Sequence, residues 1–305
     1  MRGCYDDPTV PPATLARIDV GISRYRRPML VMGVVNVTPD SFSDGGEHAD
    51  AASAVEHGRR LLAQGADLLD IGGESTRPGA TRPLVAQELD RVVPVIEALA
   101  AEGARVSVDT MRAEVARAAV AAGASVVNDV SGGLADPEVL EVVAAHPHVT
   151  YVAMHWRAHS ERMRDFAVYD EPGGVVEAVR AELAERVAAA QAAGIDDERL
   201  VLDPGLGFAK NGDHNWQLLR GLGRVADLGF PLLVGASRKS FLGALLAEGP
   251  DGAPRPPRER EVGGHAVTAW LAARHPGLWG VRVHDVRGTR DVLAVINRLQ
   301  EEDPA

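Results

Sequence analysis

The stretch VMGVVNVTPDSFSDGG, residues 31–46, decides the fold of this 305-residue chain. Its first half is rich in Val, and such runs without polar alternation are typical of strands buried on both faces, as in parallel sheets. The run ends at Asn36 and passes into Pro, Asp, Ser and Gly residues. We therefore predict a strand over 29–38 that is followed by a polar loop. Such loops often carry chemistry, although an ordinary solvated strand-to-helix turn has the same composition.

The same pattern recurs along the chain, with Ala-rich, helix-periodic stretches between the apolar runs. Several of these stretches end at a glycine, for example Gly103 and Gly123, as left-handed helix caps require. The seven further strand segments are LLDIGGES (68–75), RVSVDT (105–110), SVVNDVSGG (125–133), VTYVAMHWR (149–157), LVLDPGLGF (201–208), PLLVGASRKS (231–240) and WGVRVHDV (279–286).

Eight buried strands alternating with helices predict an α/β protein with a single-domain (β/α)₈ TIM barrel over residues 29–300. An open doubly wound sheet is the alternative. It usually carries a Gly-rich dinucleotide turn after its first strand, which the loop after Asn36 does not match. Residues 1–28 lack periodicity and predict a flexible N-terminal arm, and the Pro-rich segment 248–261 predicts a mobile surface excursion.

Composition limits the partners of the chain. It is 46% apolar and 25% charged, and its net charge is −11, which argues against nucleic acid as a partner because that binding needs a clustered basic face. No apolar run has the roughly 18 residues of a membrane span, and no signal peptide is visible. The single cysteine, Cys4, excludes an intrachain disulfide framework. We expect a cytoplasmic protein.

A closed barrel would gather polar side chains at the carboxyl ends of its strands. Such a ring of carboxylates and amides, without a serine nucleophile elbow, suits recognition of a flat, hydrogen-bonding heterocycle. The candidates are Asn36, Asp70 with Glu74, Asp109, Asn128, Met154, Asp203, Lys239, and Arg282 with His284.

Several candidates have ordinary structural alternatives. Asp109 could cap a helix that starts at Met111, Asn128 could close a turn, and Met154 could be core packing. His155 and His159 have the spacing of a metal pair, but they lack the helical context and the glutamate of a zinc protease.

Arg282 and His284 lie on one face of the last strand, in the region where these barrels commonly bind phosphate. Asn36 together with diphosphate oxygens would suit Mg²⁺, which takes few protein ligands. A surface salt bridge is the alternative for Arg282.

At these residues the chain resembles the dihydropteroate synthase family of the folate pathway, which is inhibited by sulfonamides, and it is most similar to the actinobacterial members. The motifs NVTPDSFSDGG, DIGGESTRPGA, SVDT, NDVSGG, DPGLGFAK, GASRKSFLG and RVHDV stand in family order across about residues 30–287. The resemblance implies a transferase reaction in which 4-aminobenzoate displaces diphosphate from (7,8-dihydropterin-6-yl)methyl diphosphate to give 7,8-dihydropteroate.

The resemblance also implies roles for individual residues. Asp109, Asn128, Asp203 and Lys239 would hold the pterin, Met154 would line its pocket, and Arg282 would stack on it and meet the diphosphate with Asn36 and His284. Magnesium would bind at Asn36. Phe42, Asp44, Thr76, Arg77 and Pro78 would belong to two closing loops, with Phe208, Lys239 and Ser240 in the 4-aminobenzoate pocket. Lys239, Arg282 and Asp109 are the expected catalytic residues.

Two other functions remain open at this point. A methyltetrahydrofolate methyltransferase on the same barrel would need no diphosphate site, which the SRKS (237–240) and RVHDV (282–286) stretches argue against. A noncatalytic pterin-binding paralogue is disfavoured because both loop motifs are intact. Family members are generally dimers, so the resemblance implies a homodimer.

Overall fold

The computed structural model describes residues 29–38, 46–74, 82–159, 162–248 and 252–301, so the predicted arm 1–28 lies outside the described residues. No helix in these ranges combines the length and apolar character of a membrane span. The strands are β1 (Leu30–Asn36), β2 (Leu68–Gly72), β3 (Val106–Asp109), β4 (Val126–Asp129), β5 (Thr150–Met154), β6 (Leu200–Asp203), β7 (Leu233–Val234) and β8 (Gly280–Val283). The α-helices are α1 (Gly46–Ala63), α2 (Val85–Ala101), α3 (Ala113–Ala121), α4 (Glu138–Ala144), α5 (Gly174–Ala192), α6 (Gly212–Arg220), α7 (Leu222–Ala226), α8 (Ser240–Leu245), α9 (Glu261–Arg274) and α10 (Val286–Gln300).

The eight strands form one parallel sheet that closes on itself. Their order is β6-β5-β4-β3-β2-β1-β8-β7. The two ends of this order meet where Leu202 bridges Leu232 in parallel, and the Leu202 N–H donates to the Pro231 carbonyl at 2.9 Å. The predicted (β/α)₈ barrel is therefore confirmed, and the open doubly wound alternative is excluded.

Two apolar cores flank the sheet. Outside the barrel, the helices pack on the strands; on α2 the side chains of Val92, Ile96 and Leu99 are fully buried, as the helical periodicity predicts. Burial of one such side chain stabilises the fold by about 1.5–3 kcal/mol. Inside the barrel, one side-chain layer consists of Met32, Leu68, Val126, Val152, Val201 and Leu233.

A buried carboxylate closes the turn after β4. Asp129 accepts hydrogen bonds from the Ser131 N–H and hydroxyl, the Gly133 N–H, and the Tyr151 hydroxyl at 2.9 Å. Burial raises the pKa of Asp129, and these four donors partly offset that cost. Asp129 is thus a structural residue of this turn.

The segment 248–261, predicted as a mobile surface excursion, lies largely on the surface where the structure describes it, and it has local structure of its own. Residues 257–260 form a short 3₁₀ helix, and the Arg255 N–H donates to the Gly243 carbonyl at 3.0 Å. The Arg260 guanidinium also donates to the Arg238 carbonyl at 2.8 Å. This segment is anchored because Arg255 donates to a carbonyl within α8 and Arg260 donates to a carbonyl in the turn that leads into α8.

We expect Tyr151→Phe to lower the free energy of unfolding by about 1–3 kcal/mol, because the buried Asp129 carboxylate loses a donor. Urea denaturation measures the change. Tyr169→Phe is the matched control: its hydroxyl donates to the neutral Ala209 carbonyl at 2.9 Å, and a loss nearer 0.5–1.5 kcal/mol is expected. Equal losses in the two variants would contradict the role given to Asp129.

Candidate active site

The polar ring of the site lies one side-chain layer above the apolar layer inside the barrel. Side chains two apart on a strand share one face. Asn128 therefore follows the inward-facing Val126, and Asp203 follows the inward-facing Val201. Asp70 stands in the same relation to Leu68 on β2. The strand period thus carries these groups to the carboxyl end of the barrel.

Arg282 on β8 is the centre of this ring. Its Nε donates to Asp70 Oδ2 at 2.6 Å, and a terminal nitrogen donates to Asp109 Oδ2 at 2.7 Å. Asn128 Nδ2 donates to the same Asp70 oxygen at 3.0 Å. The guanidinium therefore joins three strands, and Asp70 joins β4 to them, so the surface salt bridge considered for Arg282 is wrong. Asp109 faces this cluster and does not cap a helix, since α3 begins at Ala113, whose N–H bonds Asp136.

Burial sets the electrostatics of this cluster. Burial raises the pKa of Asp109 to about 7; the Asp70 charge adds to the rise, and the Arg282 charge opposes it. Burial works against the charge of Arg282, but the two carboxylates outweigh it and raise the pKa of its guanidinium. Arg282 is therefore a permanent cation, whereas Asp109 is poised to exchange a proton near neutral pH.

Asp203 and Lys239 complete the ring from the opposite side. The Gly205 N–H donates to Asp203 Oδ1 at 2.7 Å, and burial raises the pKa of this carboxyl. Burial and the charge of Arg282 lower the pKa of Lys239 to about 8, against the charges of Asp203 and Asp109. These mutual interactions place Asp109, Asn128, Asp203, Lys239 and Arg282 in one neighbourhood.

An apolar wall borders the ring. Met154 and Phe208 pack together with Met111 and Val130 and are almost fully buried. The Lys239 ammonium lies 4.3 Å from the centroid of the Phe208 ring, a cation–π contact. The site therefore offers an apolar surface beside converging donors and acceptors.

The remaining predicted residues lie around the rim. Asn36 ends β1 opposite Gly72, and Ser240 begins α8 on the surface. His284 follows β8, and its Nδ1 lies 3.0 Å from the Ser237 hydroxyl. Phe42, Asp44, Thr76, Arg77 and Pro78 lie outside the described residues.

His155 and His159 do not form a metal site in the described structure. The Nδ1 of His155 lies 2.9 Å from the Lys210 ammonium, and its Nε2 lies 3.0 Å from Glu182. Within the described ranges no three His, Cys, Asp or Glu side chains are grouped as metal ligands. Asn36 still fits a magnesium ion, because this ion needs only one or two protein oxygens when phosphates and waters supply the rest.

Two residues have a part in the site that the sequence did not predict. Asp70 was a candidate for the ring but had no assigned role, and Lys210 was not a candidate. Asp70 is fully buried and is shared by Arg282 and Asn128. Asp70 lies two residues after the inward-facing Leu68, and this spacing is the signal that predicts an inward-facing side chain. Lys210 ends the DPGLGFAK motif, but no local pattern shows that its side chain turns back to bond its own loop.

Proteins of known function are similar to this chain in sequence and in fold. The family described as pterin binding enzyme matches residues 32–284. The dihydropteroate synthase of Mycobacterium leprae is 54% identical over 278 residues, covering 91% of this chain and 95% of the relative. Two solved structures of Xanthomonas albilineans dihydropteroate synthase superpose closely. The complex with 4-aminobenzoic acid has a TM-score of 0.81 at 47% identity, covering 91% of this chain and 95% of that one. The complex with 7,8-dihydropteroate has a TM-score of 0.77 at 44% identity, covering 91% and 96%.

We expect Arg282→Met to lower the free energy of unfolding by roughly 3–5 kcal/mol near pH 8, because two buried carboxylates lose their cation. The loss should shrink toward about pH 5. Burial raises the folded-state pKa of Asp109 to about 7, so below that pH the carboxyl is neutral in both proteins and losing the cation costs less. As the pH rises through about 7, Asp109 ionises in the wild type beside Arg282, whereas in the variant the charge is unpaired.

Urea denaturation across this pH range measures the effect. The control is Arg298→Met, which removes an exposed arginine paired with Glu301. A loss in Arg282→Met that is independent of pH would contradict the account of the cluster.

Proposed function

The chain belongs to the pterin-binding enzymes and, within them, to the dihydropteroate synthases of folate biosynthesis, and on this basis we propose how its residues catalyse the reaction. The amine of 4-aminobenzoate displaces diphosphate from (7,8-dihydropterin-6-yl)methyl diphosphate. The observation that carries the residue roles is the cluster around Arg282. Arg282 donates to Asp70 and Asp109, and Asn128 donates to Asp70. Lys239 and Asp203 are close enough for their charges to act on Arg282.

The ring is complementary to the edge of a pterin. A pterin edge presents amino and N–H donors beside carbonyl and ring-nitrogen acceptors. The Asp203 and Asp109 carboxylates would accept from the donors, and Lys239 would donate to the acceptors, while Asn128 can do both. Arg282 would stack on the face of the pterin ring, with Met154 as the apolar wall. Within the described residues, the Gly205 N–H donates to Asp203 Oδ1, so this carboxylate has acceptor capacity left for the ligand.

The chemical step follows from the charges in this site. The bond between the methylene carbon and the diphosphate oxygen breaks, and its electron pair leaves with the oxygen. Positive charge then spreads into the pterin ring, where the buried carboxylates of Asp109 and Asp203 would stabilise it. Arg282, Asn36 and His284 would bind the leaving diphosphate. The aromatic amine is neutral at pH 7, and its lone pair forms the new bond to the carbon. The nitrogen then releases one proton to water or to the departing diphosphate, so positioning matters more than a general base.

The 4-aminobenzoate would lie at the outer side of the pterin. Phe208 supplies an apolar face, and Lys239 and Ser240 supply polar contacts beside it. The loop residues Phe42, Asp44, Thr76, Arg77 and Pro78 are proposed to close over both substrates and exclude water.

We propose that magnesium binds at Asn36 together with diphosphate oxygens. The support is chemical: an amide oxygen at a partly exposed strand end, beside a proposed diphosphate site, suits a hard cation. When bound, magnesium would neutralise charge on the diphosphate.

We also propose a homodimer in the cytoplasm, with a pterin-binding unit over 29–300 and a flexible arm over 1–28. The dimer rests on the family resemblance alone.

The full chain is expected to form dihydropteroate from pterin diphosphate, 4-aminobenzoate and magnesium. Chromatographic detection of dihydropteroate and diphosphate tests this. Pterin binding without product would favour the noncatalytic paralogue, whereas methyl transfer from methyltetrahydrofolate would favour the methyltransferase.

We expect Asp203→Asn to weaken pterin binding roughly 10- to 100-fold, because a charged acceptor is lost. The asparagine oxygen can still accept from Gly205, so the fold should persist. Calorimetric titration with a pterin measures the change, with the exposed Asp197→Asn as control. Near-normal affinity in Asp203→Asn would reject the assigned role.

Asn36→Ala is expected to raise the magnesium concentration needed for half-maximal turnover roughly tenfold, because one ligand is lost. Turnover is measured across a magnesium titration, and pterin affinity without the metal should stay the same. An unchanged magnesium requirement would place the ion elsewhere.

A further inference from the structure

The loop between β6 and α6 has an unusual backbone conformation that needs stabilising contacts. Gly205, Gly207 and Ala209 have φ angles of +67°, +80° and +46°. Ala209 is not a glycine, so its left-handed conformation costs about 1–2 kcal/mol. The loop follows Asp203 and carries Phe208. Its conformation therefore sets where a proposed pterin contact and a proposed 4-aminobenzoate contact lie.

The Lys210 side chain folds back under this loop. Its Nζ lies 2.9 Å from the Gly205 carbonyl oxygen, 3.0 Å from the Phe208 carbonyl oxygen and 2.9 Å from His155 Nδ1. An ammonium has three N–H donors and meets three acceptors here. One side chain thus binds both the beginning and the middle of the loop to β5, since His155 directly follows that strand.

The contact with the Lys210 ammonium fixes the tautomer of His155. Because Nδ1 accepts from Lys210, Nε2 carries the proton and faces Glu182 Oε2 on α5 at 3.0 Å. Both Glu182 oxygens also lie 3.1 Å from Arg157 Nε. Burial, with the charge of Lys210, lowers the pKa of His155 to about 4, so the ring is neutral at pH 7.

The loop has two further anchors. The Gly207 N–H donates to the Asn215 side-chain oxygen at 2.7 Å, and the Tyr169 hydroxyl donates to the Ala209 carbonyl at 2.9 Å. Within the loop, the Phe208 N–H donates to the Gly205 carbonyl at 3.1 Å. The Lys210 ammonium adds the link from these two carbonyls to His155 after β5. Burial lowers the pKa of Lys210 to about 7. The neutral amine would have only two hydrogens for three acceptors.

We propose that Lys210, oriented by His155 and Glu182, is a positioning residue that holds the β6–α6 loop in its binding conformation and so sets the affinity for both substrates. This proposal rests on the substrate roles proposed for Asp203 and Phe208. Lys210 acts through the loop, since its three donors are occupied by protein acceptors.

The test is Lys210→Met in the full chain. The KM values for pterin diphosphate and 4-aminobenzoate should each rise roughly 10- to 100-fold, while kcat changes less than either KM. Hydrogen exchange of the backbone amides of residues 205–210 should accelerate, because this segment loses its central anchor.

Arg199→Met is the matched control. Arg199 also donates to three backbone carbonyls, those of Val143, His146 and Val149 at 3.1 Å each, but at the opposite end of β6. Its loss should lower the melting temperature without changing either KM or the exchange of 205–210. The proposal is overturned if Lys210→Met leaves both KM values and this exchange as in the wild type, or changes them no more than Arg199→Met does.

If Lys210→Met does not fold, the same KM and hydrogen-exchange measurements on His155→Phe test the proposal. This variant keeps a ring in place but removes one acceptor of the Lys210 ammonium, so smaller changes in the same direction are expected, and wild-type KM values and exchange overturn the proposal. If the wild type shows no turnover, the proposed function fails, and the exchange of 205–210 alone decides the positioning role.

Discussion

The site depends on one shared guanidinium. Arg282 donates to Asp70 and Asp109, which come from different strands of the barrel. A buried charge is tolerated only when it is paired and hydrogen-bonded, so each of the three groups requires the other two. Asn128 joins the same cluster through Asp70. The pairing therefore couples the register of β2, β3, β4 and β8 to the shape of the site.

The barrel makes this cluster feasible. Apolar side chains fill the interior layer beneath it, and the two-residue period of each strand places polar groups directly above that layer. Water is thus excluded from below, which strengthens charge interactions in the ring. Burial also raises the pKa of Asp109 to about 7 and lowers that of Lys239 to about 8. Groups that titrate near neutral pH are typical of functional sites.

The loops at the strand ends place further side chains beside the ring. The turn before α8 presents Lys239 and is anchored by Arg260 through the Arg238 carbonyl. The loop after β6 presents Phe208 and is bound by Lys210. In both cases a buried or half-buried cation satisfies backbone carbonyls, so that a short irregular segment has a defined conformation. An uncharged substrate ring would then bind to donors and acceptors that already have fixed positions.

The sequence by itself determined the eight strands, the polar residues at their ends, and the glycines that end helices, such as Gly103 and Gly123, which have φ angles of +84° and +110°. These features are local, because strand period, burial pattern and left-handed caps depend on neighbouring residues. Only the tertiary structure decided the partners. Arg282 meets Asp70 across 212 positions, and His155 pairs with Lys210 rather than with His159. Such pairs form when the barrel closes. Closure brings together residues that are far apart in the chain, and the sequence around each of them does not indicate which partner it will contact.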